Sequence, residues 1–364
     1  MSGYFFRKLK HSPIGIDMGT TSLKVSQILK KGDKEKIVYA DAKIKEEISV
    51  NSEEERIIIF KPYIKEVLKK EKFVGKDAVI SLPSHDVDFR QLILDSDEEK
   101  SIEQILEKEI SSLPYPKEEA VVDYIDMGET AFGGGKRRKI LMMSARKRVV
   151  QNYINVLKEA KLNCVAVDLL PFALFRAIKK IGKREKSPLA VIDIGFNKSR
   201  AVVYNNDNFV LHRTIPVGSN HFVKSIEKEL EVSNEDSQRY LFDYGIGEKS
   251  TSLSFLNDIE AIRENDIPSL IKDIIKDDLE KLSSGIEEIF RYCSAELRGV
   301  KPSSFILCGG GAKIKNLSQY FHQRFQIDVS IWCPNEENNS SDKGERKLTE
   351  FAVAYGLALR GEES

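Results

Sequence analysis

Three short segments of this chain share one pattern, in which an apolar strand runs into a tight turn that contains glycine. They span residues 14–22, 191–199 and 305–312. The first two segments place an aspartate at the strand end, and Asp193 follows Asp17 by 176 residues. This separation suits two similar halves of one chain. The pattern therefore predicts two related lobes around a shared binding site.

The first segment has the groups of a phosphate-binding turn. Gly19 lets the backbone turn without a Cβ in the way. Three residues at the tip offer hydroxyls and backbone N–H groups: Thr20, Thr21 and Ser22. Lys24 on the return strand can reach a phosphate as a point charge, and Asp17 can hold Mg²⁺ through the water shell of the ion. An ordinary hairpin with a polar tip is the alternative for this segment alone.

The other two segments add a second carboxylate and a run of glycines. Two carboxylates that face each other across a cleft repel unless a cation lies between them, so Asp193 is predicted to be a second metal contact; a cap for the next turn is the alternative. The third segment contains three consecutive glycines: Gly309, Gly310 and Gly311. Placed between a strand and an amphipathic helix, they let the backbone approach a flat ligand closely near a helix N-terminus. A plain flexible loop is the other interpretation.

Composition excludes several classes of protein. Lys+Arg and Asp+Glu are equal at 57 each, so the formal net charge is zero, which argues against binding nucleic acid through phosphate neutralisation. We find no apolar run of about 18 residues that would predict a transmembrane helix. The first ten residues lack the apolar core of a signal peptide. We therefore expect a cytoplasmic protein.

Four further segments carry a more specific resemblance. Two of them are Ala78-Val-Ile-Ser-Leu-Pro83-Ser84, followed by Phe89-Arg90, and Glu109-Ile-Ser-Ser-Leu113-Pro114-Tyr115-Pro116. The others are Ser144-Ala-Arg146-Lys147 and Ala352-Val-Ala-Tyr-Gly356-Leu-Ala-Leu-Arg360-Gly361. With them, nearly the whole chain resembles the PilM family of type IV pilus assembly proteins, a family of actin-like ATPases. The three turns match the superfamily, whereas these four segments are similar to the family.

The resemblance implies an α/β fold of the two-lobed, actin-like (ribonuclease H-like) ATPase type, with an inserted α+β subdomain. We expect the first lobe over residues 1–185, with the insert at about 76–167, and the second lobe over 186–340. A closing helix within 341–364 returns to the first lobe. Three other segments are predicted: an irregular stretch at 244–266, a long helix at 267–297 with a break near Gly285, and a polar loop at 335–343.

The resemblance also implies ligands and partners. ATP with Mg²⁺ binds between the lobes, and a short N-terminal peptide of an inner-membrane PilN-like protein docks in a groove near the inserted subdomain. On this view the protein is cytoplasmic and reaches the inner membrane only through that partner. It contacts the pilus motor ATPases and other assembly components, and a homo-oligomer or ring is an option.

Matching the family motifs onto this sequence gives three sets of contacts. Phosphate contact is assigned to Thr20, Thr21, Ser22 and Lys24, and Gly19, Gly195 and Asn197 are further cofactor-binding residues. Mg²⁺ is assigned to Asp17 and Asp193, through water. The nucleoside is assigned to Lys281, Gly309, Gly310 and Gly311.

Two departures from the family pattern lower the expected ATP affinity. Phe196 stands where the family commonly has a small residue, and Ser199 where it has threonine. The helix expected to supply the adenine pocket reads Lys281-Leu-Ser-Ser284-Gly285, without the usual acidic residue and arginine before the serine. Each lost contact of about 1.4 kcal/mol lowers the affinity about tenfold.

Three functional hypotheses remain open. The first is a nucleotide-binding scaffold with slow or no hydrolysis, since no residue is an obvious base for activating water. The second is a small-molecule kinase of the same superfamily, which needs a polar substrate pocket with a base facing the γ-phosphate. The third is an FtsA-like, membrane-associated filament former, which the polar and acidic end Arg360-Gly-Glu-Glu-Ser364 disfavours.

Overall fold

The computed structural model describes most of the chain as two compact units. The described residues are 10–32, 34–44, 53–95, 102–132, 135–182, 188–206, 208–247, 266–334 and 348–361. One unit comprises Met1–Ala173 together with Val353–Ser364, and the other comprises Leu174–Ala352. The predicted polar loop at 335–343, and all but residues 244–247 and 266 of the predicted irregular stretch, lie outside the described residues.

A six-stranded sheet forms the centre of the first unit. Its strands are β1 (Lys10–His11), β2 (Ile14–Met18), β3 (Ser22–Lys31), β4 (Lys34–Lys43), β5 (Asp77–Leu82) and β9 (Asn163–Leu169). The spatial order is β1-β3-β2-β5-β9, and β4 pairs with β3. β2, β5 and β9 are parallel, whereas β2, β3 and β4 form an antiparallel meander. Continuous apolar runs in β2 and β5 fit parallel strands that are buried on both faces.

Two helices pack their apolar faces against this sheet. They are α1 (Glu53–Lys70) and α3 (Lys147–Glu159). Phe60 and Ile64 of α1 and Tyr153 of α3 are fully buried in one core with Ile16 and Ile80 of the central strands. The apolar spacing of three and four residues along each helix produces this single buried face.

An inserted three-stranded antiparallel sheet follows β5 in the chain. It contains β6 (Val87–Asp95), β7 (Ala120–Phe132) and β8 (Gly135–Arg146), in the order β6-β8-β7. Helix α2 (Ile102–Ile110) covers one face, where Leu106, Leu113 and Met142 form a small core. The chain then passes through α3 and β9 into α4 (Leu170–Lys180).

The second unit has a five-stranded sheet with the same strand plan. Its strands are β10 (Leu189–Ile194), β11 (Ser199–Asn205), β12 (Asn208–Ile215), β13 (Ser304–Cys308) and β14 (Asp328–Ile331). The order is β12-β11-β10-β13-β14, with an antiparallel meander on one side of β10 and two parallel strands on the other. This is the order β4-β3-β2-β5-β9 of the first unit, so the chain contains an internal structural repeat.

The helices of the second unit surround this sheet. They are α5 (Ser219–Leu230), α6 (Asn234–Arg239), α7 (Ile267–Ile274), α8 (Lys276–Glu296) and α9 (Leu317–Phe325). The predicted break near Gly285 is wrong, because the helix is interrupted at Ile275 and α8 runs through Gly285 without a break. A Cβ on Gly285 would lie 2.7 Å from the side chain of Ile215. The glycine therefore allows α8 to pack closely on β12.

The closing helix α10 (Ala352–Ala358) packs on the first unit through two glycines. A Cβ on Gly15 of β2 would overlap the carbonyl oxygen of Ala354, and a Cβ on Gly356 would overlap that of Ala173. Beyond the helix, Arg360 Nη1 pairs with the buried carboxylate of Asp168 at 3.4 Å. Among the described helices, none combines the length and the apolar composition needed to cross a membrane.

Candidate functional site

The first hairpin, formed by β2 and β3 around the turn at residues 19–21, places a lysine over a glycine. The N–H of Gly19 donates to the carbonyl oxygen of Ser22 at 3.1 Å. Asp17 and Lys24 are directly opposite each other in the ladder. The ammonium nitrogen of Lys24 lies 3.3 Å from the place that a Cβ on Gly19 would take. A positive charge and a tight turn thus share one location, as an anion-binding turn requires.

The second hairpin, formed by β10 and β11 around the turn at residues 195–198, repeats this geometry. The N–H of Gly195 donates to the carbonyl oxygen of Lys198 at 3.2 Å. Asp193 and Arg200 are opposite each other, and Arg200 Nη1 lies 3.6 Å from the Cβ position of Gly195. Arg200 therefore takes the place that Lys24 has in the first hairpin. Sequence reasoning missed it, although both basic residues follow their aspartate by seven positions.

The carboxylate of Asp193 is already engaged within the second unit. Arg200 Nη1 donates to Asp193 Oδ2 at 3.1 Å, and Asp193 Oδ1 lies so close to Gly309 that a Cβ there would overlap it. The residue is only 7% exposed. These contacts do not fit a divalent cation held by Asp193. The half-buried Asp17 stays a predicted metal contact, and no group of three or more His, Cys, Asp or Glu residues converges within the described ranges.

The three glycines of the run at 309–311 have different surroundings. Gly309 has φ +84° and donates its N–H to the carbonyl oxygen of Thr349 at 2.9 Å. A Cβ on Gly311 would overlap the side chain of Ile194. Gly310 has no heavy atom within 4 Å of its Cβ position. Packing against the end of β10 thus requires two of these glycines, and Gly310 alone borders open space.

The second unit contains a cavity of about 960 Å³ between the end of β12 and one side of α8. This volume suits a small-molecule ligand. Lys281, Ser284 and Gly285 line it from α8, opposite Val217 and His221. Among the described residues that form its wall, none belongs to the glycine run. The structure therefore brings Lys281 together with the start of α5 within this cavity.

Lys281 is held by a neighbouring carboxylate on α8. Its Nζ donates to Asp278 Oδ1 at 3.0 Å, and the hydroxyl of Ser225 donates to Asp278 Oδ2 at 2.7 Å. Burial acts to raise the pKa of Asp278, but the hydrogen bonds from Ser225 and Lys281 outweigh it and lower the pKa. Asp278 is therefore a charged anchor that positions Lys281 at the cavity.

The start of α5 holds the tip of the second hairpin. The N–H of Asn220 donates to the carbonyl oxygen of Phe196 at 2.9 Å, and Asn220 Nδ2 donates to Asn197 Oδ1 at 3.3 Å. A Cβ on Gly218 would overlap the carbonyl oxygen of Phe196. Sequence reasoning missed Gly218, whose signal is a glycine between a strand and a helix. The helix N-terminus adds a partial positive charge beside the turn.

Positive charge concentrates around this second hairpin. Burial and, after it, the charges of Arg200, Arg213 and Lys198 together lower the pKa of His212 to about 4. Three cationic side chains therefore lie close enough to act on one ring beside this hairpin, which favours an anionic ligand.

The neutral state of His212 predicts a loss of stability in acid. Its pKa falls from an ordinary 6.5 to about 4 in the folded protein, so between these values the unfolded chain binds a proton that the folded chain does not. We expect this residue to contribute about 2 kcal/mol less to the free energy of unfolding at about pH 5 than at about pH 7. Urea unfolding of the wild type and His212→Gln at both pH values measures this. An equal pH dependence in the two proteins would contradict it.

Solved structures with this architecture are actin-like proteins and their relatives. The structure of the PilM-PilN type IV pilus biogenesis complex matches with a TM-score of 0.74 at 20% identity, over 97% of this chain and 99% of that one. MreB5 of Spiroplasma citri bound to AMPPNP matches with a TM-score of 0.51 at 14% identity, over 96% of each chain. The chain thus has the fold of the actin-like ATPases, which confirms the predicted fold class.

The sequence matches a family model as well. The model described as type IV pilus assembly protein PilM matches residues 15–251, and the chain belongs to this family, as the resemblance predicted. The model of cell division protein FtsA matches residues 190–356.

Two curated relatives are FtsA proteins. FtsA of Bacillus subtilis (strain 168) is 25% identical over 202 residues, covering 53% of this chain and 44% of FtsA. FtsA of Streptococcus pneumoniae serotype 2 (strain D39 / NCTC 7466) is 22% identical over 204 residues, covering 54% and 43%. The chain thus spans less than half the length of either relative.

Proposed function

We propose that this protein is an ATP-binding cytoplasmic scaffold of a type IV pilus or related assembly machine. It docks the N-terminal peptide of a PilN-like inner-membrane protein and reaches the membrane through that partner. Membership of the PilM family carries the pilus part of this proposal. Contacts with the pilus motor ATPases, and assembly of several copies into a ring, extend the same proposal.

The two hairpins support nucleotide binding. Each presents a basic side chain over the glycine of its turn, Lys24 over Gly19 and Arg200 over Gly195. Phosphate oxygens are the ligands that such turns bind best. The cavity beside Lys281 gives a nucleotide base or sugar a place within the second unit. With no obvious base for activating water, we infer slow or absent hydrolysis.

An exposed apolar surface on the inserted sheet supports docking of a peptide. Ile93 is 48% exposed, Val121 40% and Ile125 38%. The register pairs Val121 with Ala145, Ile125 with Leu141, and Ile93 with Lys139, which puts all three on one sheet face. Helix α2 covers the opposite face. Exposed apolar side chains on one sheet face offer a surface for an interaction, and the insert is where the partner peptide is expected.

The second candidate is an FtsA-like filament former. The match of the FtsA model to residues 190–356 favours it. Electron microscopy of the purified protein with ATP tests it directly. ATP-dependent filaments would support the FtsA-like function. If no filaments form under conditions in which the peptide binds, the pilus scaffold is the favoured function.

Titration with a synthetic peptide tests the main proposal. The peptide comes from the N-terminus of the co-encoded PilN-like membrane protein, and the titration is done with and without Mg-ATP. We expect saturable binding, and a change in affinity with ATP would show that the nucleotide and peptide sites are coupled. If the peptide binds in neither condition, the proposed partner is wrong, and only the actin-like fold remains supported.

Ile125→Glu is expected to weaken peptide binding about tenfold or more. A carboxylate at this position interrupts the exposed apolar surface, and contacts at the centre of an interface typically contribute about 1–2 kcal/mol or more. Val300→Glu is the matched control, since Val300 is 50% exposed in the second unit. Calorimetric titration of both variants measures the effect. If Ile125→Glu and Val300→Glu bind the peptide with equal affinity, the docking surface lies elsewhere.

A further inference from the structure

We propose that the guanidinium of Arg200 takes the place of a metal ion at Asp193. The second unit then neutralises this carboxylate and meets the nucleotide phosphates with its own cations, without Mg²⁺ bound to Asp193. This inference rests on the proposed nucleotide binding.

The contacts of Asp193 leave little room for a cation. Its Oδ2 accepts from Arg200 Nη1 at 3.1 Å, and its Oδ1 is packed against Gly309. The ion pair is largely buried, since the side chains are 21% and 10% exposed for Arg200 and Asp193. A buried ion pair of this kind is held much more firmly than one on the surface, because water screens it poorly. A divalent cation would have to displace the arginine first.

Arginine suits this position better than lysine does. Its planar group carries five N–H donors, so one can hold a carboxylate while others remain for an anion. Arg200 Nε is buried, and no acceptor lies within hydrogen-bond distance among the described residues. Arg200 Nη1 also lies 3.6 Å from the Cβ position of Gly195, at the turn itself. The guanidinium therefore has more donor capacity than Asp193 uses.

Neighbouring charges act against a metal ion at the same place. Lys198 lies in the turn and Arg213 on the adjacent β12. After burial, which is the largest cause, these two charges and that of Arg200 lower the pKa of His212 on β12. A divalent cation placed here would meet repulsion from these groups and from Arg200, whereas phosphate oxygens would meet attraction. The same field that excludes the metal thus favours the nucleotide.

A double-mutant cycle with a fluorescent ATP analogue tests the proposal. Affinity is measured in Mg²⁺ and in EDTA for the wild type, Arg200→Gln, Asp193→Asn and the double variant. We expect Asp193→Asn to keep the wild-type ratio of the two affinities. Arg200→Gln should bind about tenfold more weakly in EDTA and recover part of this in Mg²⁺, because Asp193 becomes available to the metal. The double variant should lose that recovery.

Thermal unfolding without nucleotide gives a second readout. Arg200→Gln leaves a buried carboxylate unpaired, so Mg²⁺ should raise its Tm more than that of the wild type or of the double variant. If Arg200→Gln does not fold, Arg200→Lys replaces it and should keep the wild-type ratio of the affinities in Mg²⁺ and EDTA, because lysine still supplies a cation to Asp193. A Mg²⁺ dependence of the wild type that Asp193→Asn abolishes would overturn the proposal. If the wild type binds no analogue in either condition, the proposed nucleotide binding fails, and the Tm measurements still test Arg200.

Discussion

Gly356→Ala is expected to destabilise the first unit by about 3 kcal/mol or more, at the upper end of the cost of overpacking a well-packed contact. The added methyl group would overlap the backbone carbonyl of Ala173. Backbone cannot rotate out of the way as a side chain can, so α10 would have to move off the unit. Helix propensity acts in the opposite direction, since alanine is favoured over glycine by about 1 kcal/mol inside a helix. A net loss of stability would therefore show that the tight contact dominates.

Thermal and urea unfolding measure this effect, and Gly285→Ala in α8 is the matched control. Its methyl group would lie 2.7 Å from Cγ2 of Ile215, a less severe overlap than that of Gly356→Ala with the backbone oxygen of Ala173. We expect Gly285→Ala to lower the free energy of unfolding clearly less than Gly356→Ala does. A Gly356→Ala protein as stable as the wild type would mean that α10 does not pack against Ala173 as described.

Lys24→Gln is expected to lower ATP affinity about tenfold to a hundredfold. The ammonium of Lys24 lies over the turn at Gly19, where a charge-assisted hydrogen bond to a phosphate contributes roughly 1.5–3 kcal/mol. Each 1.4 kcal/mol corresponds to about a factor of ten. Glutamine keeps most of the length and loses the charge, so the change reports the electrostatic contact.

Equilibrium titration with the fluorescent ATP analogue measures the loss, and Lys30→Gln is the control. Lys30 is on the same strand, and its Nζ pairs with Glu35 at 3.2 Å. Removing a partly exposed ion pair of this kind changes stability by about 0–1 kcal/mol, and we expect ATP affinity to be kept. Equal affinities of the Lys24→Gln protein and the wild type would exclude Lys24 as a phosphate contact.

Local patterns in the sequence match several of the observed elements. Apolar residues recur at helical spacing over the observed bounds of α1, Glu53–Lys70, and the strands that carry Asp17 and Asp193 occur where the strand-turn pattern predicted them. These features depend on residues a few positions apart, whose periodicity matches that of a helix or strand. Arg200 could have been predicted from the same short-range spacing, because it follows Asp193 by seven residues, as Lys24 follows Asp17.

The structure was needed wherever distant residues meet. Gly309 and Gly311 looked alike in sequence to Gly310, yet they pack against Asp193 and Ile194, more than a hundred residues earlier, and Gly310 does not. The interruption of the helix at Ile275 could not be predicted from the sequence. Gly285 was the predicted break because glycine weakens a helix, whereas in the structure it allows a close contact with Ile215. A glycine in a sequence shows only that a Cβ is absent, and not whether the residue forms a turn, a break or a close contact.

The sequence by itself determined the strand-turn repeat, the aspartate of each hairpin, Lys24 of the first hairpin, and membership of the PilM family. Only the tertiary structure decided that Arg200 neutralises Asp193 and that Asp278 holds Lys281. The reason is physical: periodicity and turn chemistry are local, whereas the charge state and the partner of a buried side chain depend on everything that folding brings around it.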